Sequence, residues 1–389
     1  MSTTTSPRQA LSSDGLDVLV DRADNPMLND TNALKLAVFC ANVARGTSIS
    51  TAETLPKGQW KETRRLALAA DAAGLDGFIP LGRWKANTRT QRPEDDRWME
   101  VLTMAAAVGA ITERIAVFST VHMPIIHPVI MAAMTSTIDH VTGGRFVINV
   151  TAGFNQPEMD MFGLKLLPHD ERYEYAREWI ELLKKVWTSE DVFDWEGKYF
   201  HGTTIINKPL PLQRPYPVIM SAGSSGAGRA FAAQHADLNF VHLPSWEEMA
   251  EAVSTAKTEA AEKHGRQPGI LAGGYVVCAD TEKEAWRRYH YVTREKMDVE
   301  TARLFTQEFN SQSESQLVVE MNERTDRMAS GFNAMPLVGT AEQIVERMQK
   351  MSEAGLAGLA ISFDDYDEGI ASYDEVLRPL LIDAGLRSR

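Results

Sequence analysis

The 389-residue sequence predicts an α/β fold, a TIM (β/α)8 barrel, from three observations. Short, continuous apolar runs alternate with helical patterns through nearly the whole chain, and eight such strand–helix units follow one another in a single pass. The runs lack polar/apolar alternation, which is typical of parallel strands covered on both faces. Eight βα units of this size are the repeat of a TIM barrel. A doubly wound open sheet is the alternative that this pattern alone leaves open.

The predicted strands are apolar segments in which β-branched and aromatic residues are frequent. They cover residues 36–40, 77–81, 115–120, 145–150, 218–221, 238–242, 270–278 and 359–363. The helical segments between them carry apolar residues three and four positions apart, which defines one inward face. They cover residues 60–73, 98–111, 128–140, 170–187, 227–235, 246–264, 282–291, 340–354 and 373–382. Pro128 suits a first helical turn, and Asp170 and Thr340 are the predicted N-caps of their helices.

Two insertions interrupt the rhythm, near residues 188–215 and 297–335. In the first, aromatic residues around Glu196 and Gly197 indicate a short hairpin, and several prolines indicate a loop return. Residues 1–34 are polar and form a predicted N-terminal arm, either poorly ordered or lying on a partner subunit. Residues 35–389 form the predicted barrel domain.

Composition excludes several classes of function. With 40 Lys and Arg against 53 Asp and Glu the net charge is −13, which argues against nucleic acid or an anionic membrane as a partner. Two cysteines, Cys40 and Cys278, are too few for a disulfide framework and are expected to be buried free thiols. No signal peptide is visible, and the longest apolar stretch, near residues 101–111, is shorter than the roughly 18 residues of a membrane span. These features predict a cytoplasmic protein.

Active sites of TIM barrels lie at the C-terminal ends of the strands, which selects a short set of residues. Strand 2 is followed by Gly82 and Arg83, and strand 3 by His122. Asn149 is a polar residue within strand 4, and Glu158 lies in the loop after it. Asn149 either satisfies a backbone group or meets the polar edge of a ligand ring, and Glu158 either is a solvated surface residue or accepts from a ligand N–H.

The turn after strand 5 has the composition of an anion site. Residues 223–228 (GSSGAG) are small, so backbone N–H groups can approach a phosphate, and the following helix adds its positive N-terminal end. Ser224 and Ser225 add hydroxyl donors. An ordinary tight turn with a serine cap is the alternative. No metal site is predicted, because His122 and His127 are five residues apart and do not share a helix face. A hydrolase is not predicted either, since no Gly-x-Ser-x-Gly nucleophile motif occurs.

Five segments of the sequence resemble the bacterial-luciferase-like flavin monooxygenases. They are residues 137–146 (TIDHVTGGRF), 153–158 (GFNQPE), 169–173 (HDERY), 209–215 (PLPLQRP) and 221–225 (SAGSS). The resemblance extends from about residue 36 to residue 381. Within the family the chain looks most similar to the pyrimidine oxygenases that open the uracil ring, and the dimethyl sulfone monooxygenases are the nearest alternative.

This resemblance implies an enzyme that binds FMN, reduced by a separate NAD(P)H:flavin reductase, and uses dioxygen as co-substrate. The family contacts flavin at the positions of Gly82, Arg83, Asn149 and Glu158. Arg172, Tyr173 and Ser225 match positions near the flavin phosphate. Thr120 and Asn149 match the positions at which pyrimidine oxygenases polarise dioxygen. The implied assembly is a homo-oligomer, a dimer or a tetramer.

The resemblance leaves the substrate open. Pyrimidine oxygenases have a Trp where this chain has Phe154 and a Lys where it has Arg83, and residues 84–96 and 297–335 do not match their pattern. A pyrimidine-like heteroaromatic ring and an organosulfur compound are both compatible with the motifs. A deazaflavin-linked oxidoreductase or a flavin-binding protein on the same barrel is the alternative class, because fold does not fix function.

Overall fold

Eight parallel strands close into a barrel in the computed structural model, which describes residues 18–85, 97–153, 155–223, 225–303 and 322–388. The barrel strands are β1 (Lys35–Phe39), β2 (Gly77–Ile79), β3 (Ala116–His122), β4 (Phe146–Thr151), β5 (Val218–Ser221), β6 (Leu238–Val241), β7 (Gly269–Cys278) and β8 (Gly358–Phe363). Each strand pairs with the next along the chain, and β8 pairs with β1. The predicted TIM barrel is therefore confirmed, and the open sheet is excluded.

Helices surround the barrel in the order that the sequence predicts. Those after the first six strands are α1 (Trp60–Ala72), α2 (Val101–Ile111), α3 (Pro128–Thr142), α4 (His169–Thr188), α5 (Gly226–His235) and α6 (Met249–His264). The later helices are Glu282–His290, Glu323–Ser330, Ala341–Glu353, Tyr366–Ser372 and Arg378–Asp383, with π-helical turns at Tyr291–Glu295 and Tyr373–Leu377. The side chains between strands and helices form one large apolar core, and a second cluster fills the inside of the barrel.

Two predicted helix caps have different outcomes. Thr340 is the N-cap of Ala341–Glu353, and Gln343 accepts from its backbone N–H at 3.0 Å, which confirms that prediction. The prediction for Asp170 is wrong, because α4 begins one residue earlier, after Pro168. Asp170 instead lies in the first turn, where its carboxylate suits the positive end of the helix.

The first insertion contains the predicted hairpin, with Phe193–Glu196 antiparallel to His201–Ile205. A strand that the sequence analysis missed begins where the second insertion ends. Met335–Gly339 pairs in parallel with the C-terminal half of β7, outside the barrel ring. Pro336 lacks an N–H group and makes this segment an atypical strand, which is acceptable at the edge of a sheet. Residues 304–321 of this insertion lie outside the described residues.

Residues 18–34 of the predicted arm cover the N-terminal end of the same chain's barrel. Val20–Asp21 pairs with Gln213–Arg214, and Asn25 donates to the carbonyl oxygen of Phe146 at 3.3 Å. Met27 is buried against the cluster inside the barrel. This end of the barrel is thereby closed, and the opposite end carries the C-terminal strand ends.

The two thiols differ in exposure. Cys40 is buried, whereas Cys278 at the end of β7 is partly exposed, so the expectation of two buried thiols is right for the first only. Within the described ranges, no helix has both the length and the apolar character that crossing a membrane requires.

Candidate active site

Thr120 and Asn149 are neighbours on β3 and β4, where they stand opposite each other in the strand register. The Thr120 hydroxyl donates to the carbonyl oxygen of Pro80 at 2.6 Å, and Asn149 Nδ2 donates to Thr120 Oγ1 at 3.2 Å. Because the hydroxyl has one proton and Pro80 accepts it, Asn149 must present an N–H to Thr120. Asn149 Oδ1 is then buried without a hydrogen-bond partner among the described residues.

Glu158 lies at the centre of a second buried group. It belongs to the short helix Gln156–Asp160 after β4, whose N-cap, Asn155, accepts from the Glu158 backbone N–H. One carboxylate oxygen accepts from Arg83 Nη1 and from the Trp84 backbone N–H, both at 3.3 Å. The other, Oε2, is 3.9 Å from His122 Nε2 and has no hydrogen-bond partner within the described chain.

His122 is a neutral imidazole at neutral pH. Burial, together with the nearby positive charge of Arg83, lowers its pKa to about 4. Its Nδ1 is buried and makes no hydrogen bond to the described residues. Three partnerless polar atoms therefore lie at the C-terminal ends of β3 and β4 and in the loop that follows: Asn149 Oδ1, Glu158 Oε2 and His122 Nδ1. Buried polar atoms rarely stay unpaired, so this group requires a ligand or water.

Gly82 brings the end of β2 against β3. A Cβ atom at this position would lie 2.2 Å from the carbonyl oxygen of Thr120, so no other residue fits without moving the backbone. The glycine thus sets the spacing between Thr120 and the chain that leads into Arg83.

A separate polar group surrounds the N-terminus of α5, after β5. Ser225 is the N-cap, and its hydroxyl oxygen accepts from the Gly228 backbone N–H at 3.1 Å and donates to Tyr173 OH at 3.4 Å. His169 Nε2 is 3.1 Å from the same oxygen. The other N–H groups of the first turn have no acceptor within the helix, so this terminus can receive an anion. Ser224 lies outside the described residues.

His169 is a residue of this group to which the sequence analysis assigned no role. It lies four residues before Tyr173 on α4, a spacing that places both side chains on one helix face. Their rings meet edge to face, with centroids 5.4 Å apart. The four-residue spacing could have indicated that His169 and Tyr173 act together. Only the fold shows that this helix face meets the turn after β5.

Arg172 holds the loop between β4 and α4. Its guanidinium donates to the carbonyl oxygens of Gly153 at 2.8 Å and Leu167 at 3.2 Å. The structure thus brings Arg172 to loop carbonyls, whereas Tyr173 and Ser225 meet each other at the helix terminus. A direct contact of Arg172 with a phosphate stays a prediction.

Aromatic side chains line the mouth of the barrel near these groups. The ring of Phe39, at the end of β1, is 5.9 Å from both Phe240 and Phe332. Phe154 lies outside the described residues. In the described part of the chain, no three His, Cys, Asp or Glu side chains are arranged to hold a metal ion.

A closed parallel barrel with an anion-receptive helix N-terminus and unpaired buried polar atoms at its C-terminal end defines a TIM-barrel enzyme. The chain belongs to the luciferase-like monooxygenase family, whose family model matches residues 34–358. This membership confirms the resemblance and the predicted enzyme class, a flavin-dependent monooxygenase.

Named relatives agree with this membership. The chain is 31% identical over 295 residues to the pyrimidine monooxygenase RutA of Enterobacter sp. (strain 638), covering 74% of this chain and 79% of that protein. It is 29% identical over 354 residues to the FMNH(2)-dependent dimethylsulfone monooxygenase of Pseudomonas putida, covering 90% of this chain and 95% of that protein.

Solved structures share the fold. Riboflavin lyase, solved with modified FMN and riboflavin, superposes with a TM-score of 0.80 at 21% identity, covering 91% of this chain and 92% of that one. Long-chain alkane monooxygenase superposes with a TM-score of 0.78 at 22% identity, with the same coverage. An F420-dependent secondary alcohol dehydrogenase has a TM-score of 0.65 at 16% identity, covering 89% of this chain and 98% of that one. At these identities the likeness concerns the fold alone.

Proposed function

We propose that this protein is a reduced-FMN-dependent monooxygenase that inserts one oxygen atom of O2 into a small organic substrate, a heteroaromatic compound such as a pyrimidine. The observation that carries the proposal is the set of partnerless buried polar atoms on Asn149, Glu158 and His122, at the end of the barrel that also holds the α5 terminus. Reduced FMN carries ring N–H donors and a phosphate, and these features complement the two groups.

The hydrogen-bond donors and acceptors of the site are complementary to those of reduced FMN. Asn149 Oδ1 and Glu158 Oε2 are acceptors that need N–H or O–H donors, which a reduced flavin ring offers. The α5 terminus with Ser225 and Tyr173 offers donors for a phosphate. In the proposal, Gly82 and Arg83 complete the ring site, and Arg172 stabilises the loop that carries Glu158.

The cofactor would supply two electrons to O2, so that one oxygen atom enters the substrate and the other leaves as water. The protein's part is to hold polar groups in fixed positions inside a dry pocket. Thr120 orients the Asn149 amide, and Arg83 positions the Glu158 carboxylate through the contact between them. The neutral His122 adds a polar group without a charge.

A sulfone-type organosulfur substrate is the second candidate. It is suggested by the similarity to the dimethylsulfone monooxygenase of Pseudomonas putida, which is 29% identical over 90% of this chain, although a RutA relative from Bradyrhizobium sp. aligns over 91% of the chain at 28% identity. Both candidates share the flavin chemistry and differ only in the substrate.

The proposal includes two kinds of partner. An NAD(P)H:flavin reductase would deliver reduced FMN, and a second copy of the chain would cover an uncharged surface. That surface is the outward face of α2 and α3, which carries only uncharged residues at its exposed positions: Thr103, Ala110, Ile130, Ala133, Met134, Thr137 and Val141. An uncharged face is best covered by another uncharged face. In a two-fold symmetric dimer, the same face of the second copy would provide that contact.

The test is a coupled assay containing the protein, FMN, a flavin reductase, NADH and air. With uracil, dimethyl sulfone and related compounds offered in turn, one of them should be converted to a product that carries one atom of 18O from 18O2, with less hydrogen peroxide released per NADH. The pure protein with FMN and NADH should not oxidise NADH without the reductase. The absence of an 18O-labelled product with every compound, or turnover only with a deazaflavin, would reject the proposal.

A further inference from the structure

Three arginines line one cleft at the C-terminal end of the barrel. Arg45, Arg83 and Arg97 lie around a cavity of about 90 Å³, and no Asp or Glu is among the described residues that line it. The chain as a whole carries a net charge of −13, so this cationic lining contrasts with the rest of the molecule. Arg83 also lines the small cavity that contains Thr120, so the cleft and the proposed site of oxygen chemistry share this residue.

The charges of two of these arginines are balanced from outside the cleft. Arg83 pairs with the fully buried Glu158 at 3.3 Å, and Arg45 pairs with the buried Asp298 at 3.0 Å. Arg97 makes no ion pair with any residue in the described ranges. Among the described residues, Arg97 is therefore the lining arginine whose charge no carboxylate balances, whereas Arg45 and Arg83 are each held by an ion pair.

The backbone holds Arg45 and Arg97 next to each other. The Ala44 backbone N–H donates to the carbonyl oxygen of Arg97 at 2.9 Å, and Val43 and Trp98 form an antiparallel bridge. Arg45 adopts a positive φ of 68°, and its own N–H donates to the carbonyl oxygen of Pro56. Both arginines thus stand on segments joined by main-chain hydrogen bonds.

The remaining walls are mostly apolar. Leu81, Trp98 and Phe332 supply apolar and aromatic surface. The hydroxyls of Thr47 and Ser48 both donate to the carbonyl oxygen of Ser330, at 2.8 and 3.3 Å, so their protons are already used. A ligand that matches this cleft has an apolar or flat body and one anionic group directed at the arginines.

We propose that the substrate of this monooxygenase is a small organic acid, whose carboxylate or sulfonate group is bound by Arg97 with support from Arg45. The inference rests on the proposed function for the identity of the reaction, but binding can be measured without turnover. Arg97 is then a residue that determines specificity and takes no part in the oxygen chemistry.

The test compares pairs of ligands of similar shape that differ in charge: orotate with orotamide, benzoate with benzamide, and methanesulfonate with dimethyl sulfone. Each is titrated into the FMN-loaded protein by calorimetry, with tryptophan fluorescence as a second signal. For at least one pair, the anion should bind about tenfold or more tightly than its neutral partner, as one charge-assisted contact predicts. The preference should shrink as salt is added.

Arg97→Gln should remove the preference while the affinity for the neutral partner stays unchanged, and Arg97→Lys should retain part of it. Arg64→Gln, on the exposed face of α1, is the matched control and should bind like the wild type. Equal binding of anion and neutral partner in all three pairs, or equal loss of both in Arg97→Gln, overturns the inference. A failed coupled assay with a preserved anion preference would instead count against the proposed function alone.

Discussion

Asn149 donates to Thr120 Oγ1 at 3.2 Å while the Thr120 hydroxyl donates to the carbonyl oxygen of Pro80 at 2.6 Å, so one chain of hydrogen bonds runs from β4 through β3 to the end of β2. The chain has a direction, because the carbonyl can only accept. Thr120 therefore has no proton left for a ligand and acts by orienting the amide. The Asn149 amide keeps its second N–H and its Oδ1 for the site.

Asn149→Ala should reduce product formation about a hundredfold, as expected for the loss of one preorganised polar contact worth roughly 2.7–4 kcal/mol. FMN affinity should stay within a few fold of the wild type, because several other groups also hold the cofactor. Reduced flavin should then be reoxidised without product, which is measured as hydrogen peroxide released per NADH consumed.

The control for Asn149 is Thr120→Ser, which keeps the hydroxyl and should retain most of the coupled turnover, whereas Thr120→Val should resemble Asn149→Ala. If Asn149→Ala lowers only the melting temperature and leaves product per reduced flavin unchanged, Asn149 has a purely structural role.

The fold could be predicted from the sequence because each barrel strand is a short apolar run with a helix after it. Met335–Gly339 escaped prediction, since a strand containing Pro336 at the edge of the sheet lacks the usual pattern. The start of α4 at His169 also differed from the expected cap, because the N-cap position falls on Pro168, which makes no side-chain cap hydrogen bond.

The site could be predicted only as a set of positions. Strand ends place Thr120 and Asn149 at the barrel mouth, but the acceptor of the Thr120 proton, Pro80, belongs to another strand end and leaves no sequence signal. The long Arg172 side chain reaches two loop carbonyls that only the folded loop brings within range. Contacts of this kind depend on tertiary geometry, which spacing along the chain does not encode.

Ser225→Ala should weaken FMN binding and leave riboflavin binding unchanged, because the change removes a hydroxyl at the proposed phosphate site. Losing this N-cap should also cost about 1 kcal/mol of stability. Thr281→Ala is a matched control, since Thr281 caps the helix Glu282–His290 through the Glu284 backbone N–H at 3.2 Å, far along the chain from the site. The control should lose similar stability and bind FMN normally. Equal FMN affinity in the two variants would disprove a phosphate contact of Ser225.

Arg172→Ala should raise the dissociation constant of FMN about tenfold, and the comparison with riboflavin reveals the reason. The hydrogen bonds to Gly153 and Leu167 indicate that the loop leading to Glu158 loosens in the variant, which should weaken riboflavin as well as FMN. A direct contact with phosphate would instead weaken FMN alone. Fluorescence titration with both flavins measures the difference, and unchanged affinity for both would show that Arg172 has no part in the site.

Ile130→Asp should convert the proposed homo-oligomer into monomers without unfolding it. The side chain is 57% exposed on α3, so the substitution removes little packing within one chain, but in the proposed assembly it would place a charge in an uncharged contact. Light scattering after gel filtration measures the mass, and circular dichroism checks the fold. Glu113→Gln, just beyond the end of α2, serves as a control. A wild-type protein that is monomeric at micromolar concentration would contradict the assignment of this face.

The buried His122 should make the protein less stable in mild acid. Its pKa is lowered to about 4 in the folded state, against 6.5 as the ordinary value, because burial disfavours the charged imidazolium. Between these values the unfolded chain binds a proton that the folded chain does not, so the free energy of unfolding falls as the pH falls from about 6.5 to about 4. The group contributes about 3 kcal/mol to this loss at most, and nothing further below pH 4.

Urea unfolding of the wild type and His122→Gln across this range isolates the effect, since other buried histidines such as His235 titrate in both proteins. The difference in stability between the two should shrink on acidification, whereas His201→Gln, which removes an exposed imidazole, should follow the wild type. Parallel pH profiles of wild type and His122→Gln would show that His122 is not held neutral by burial.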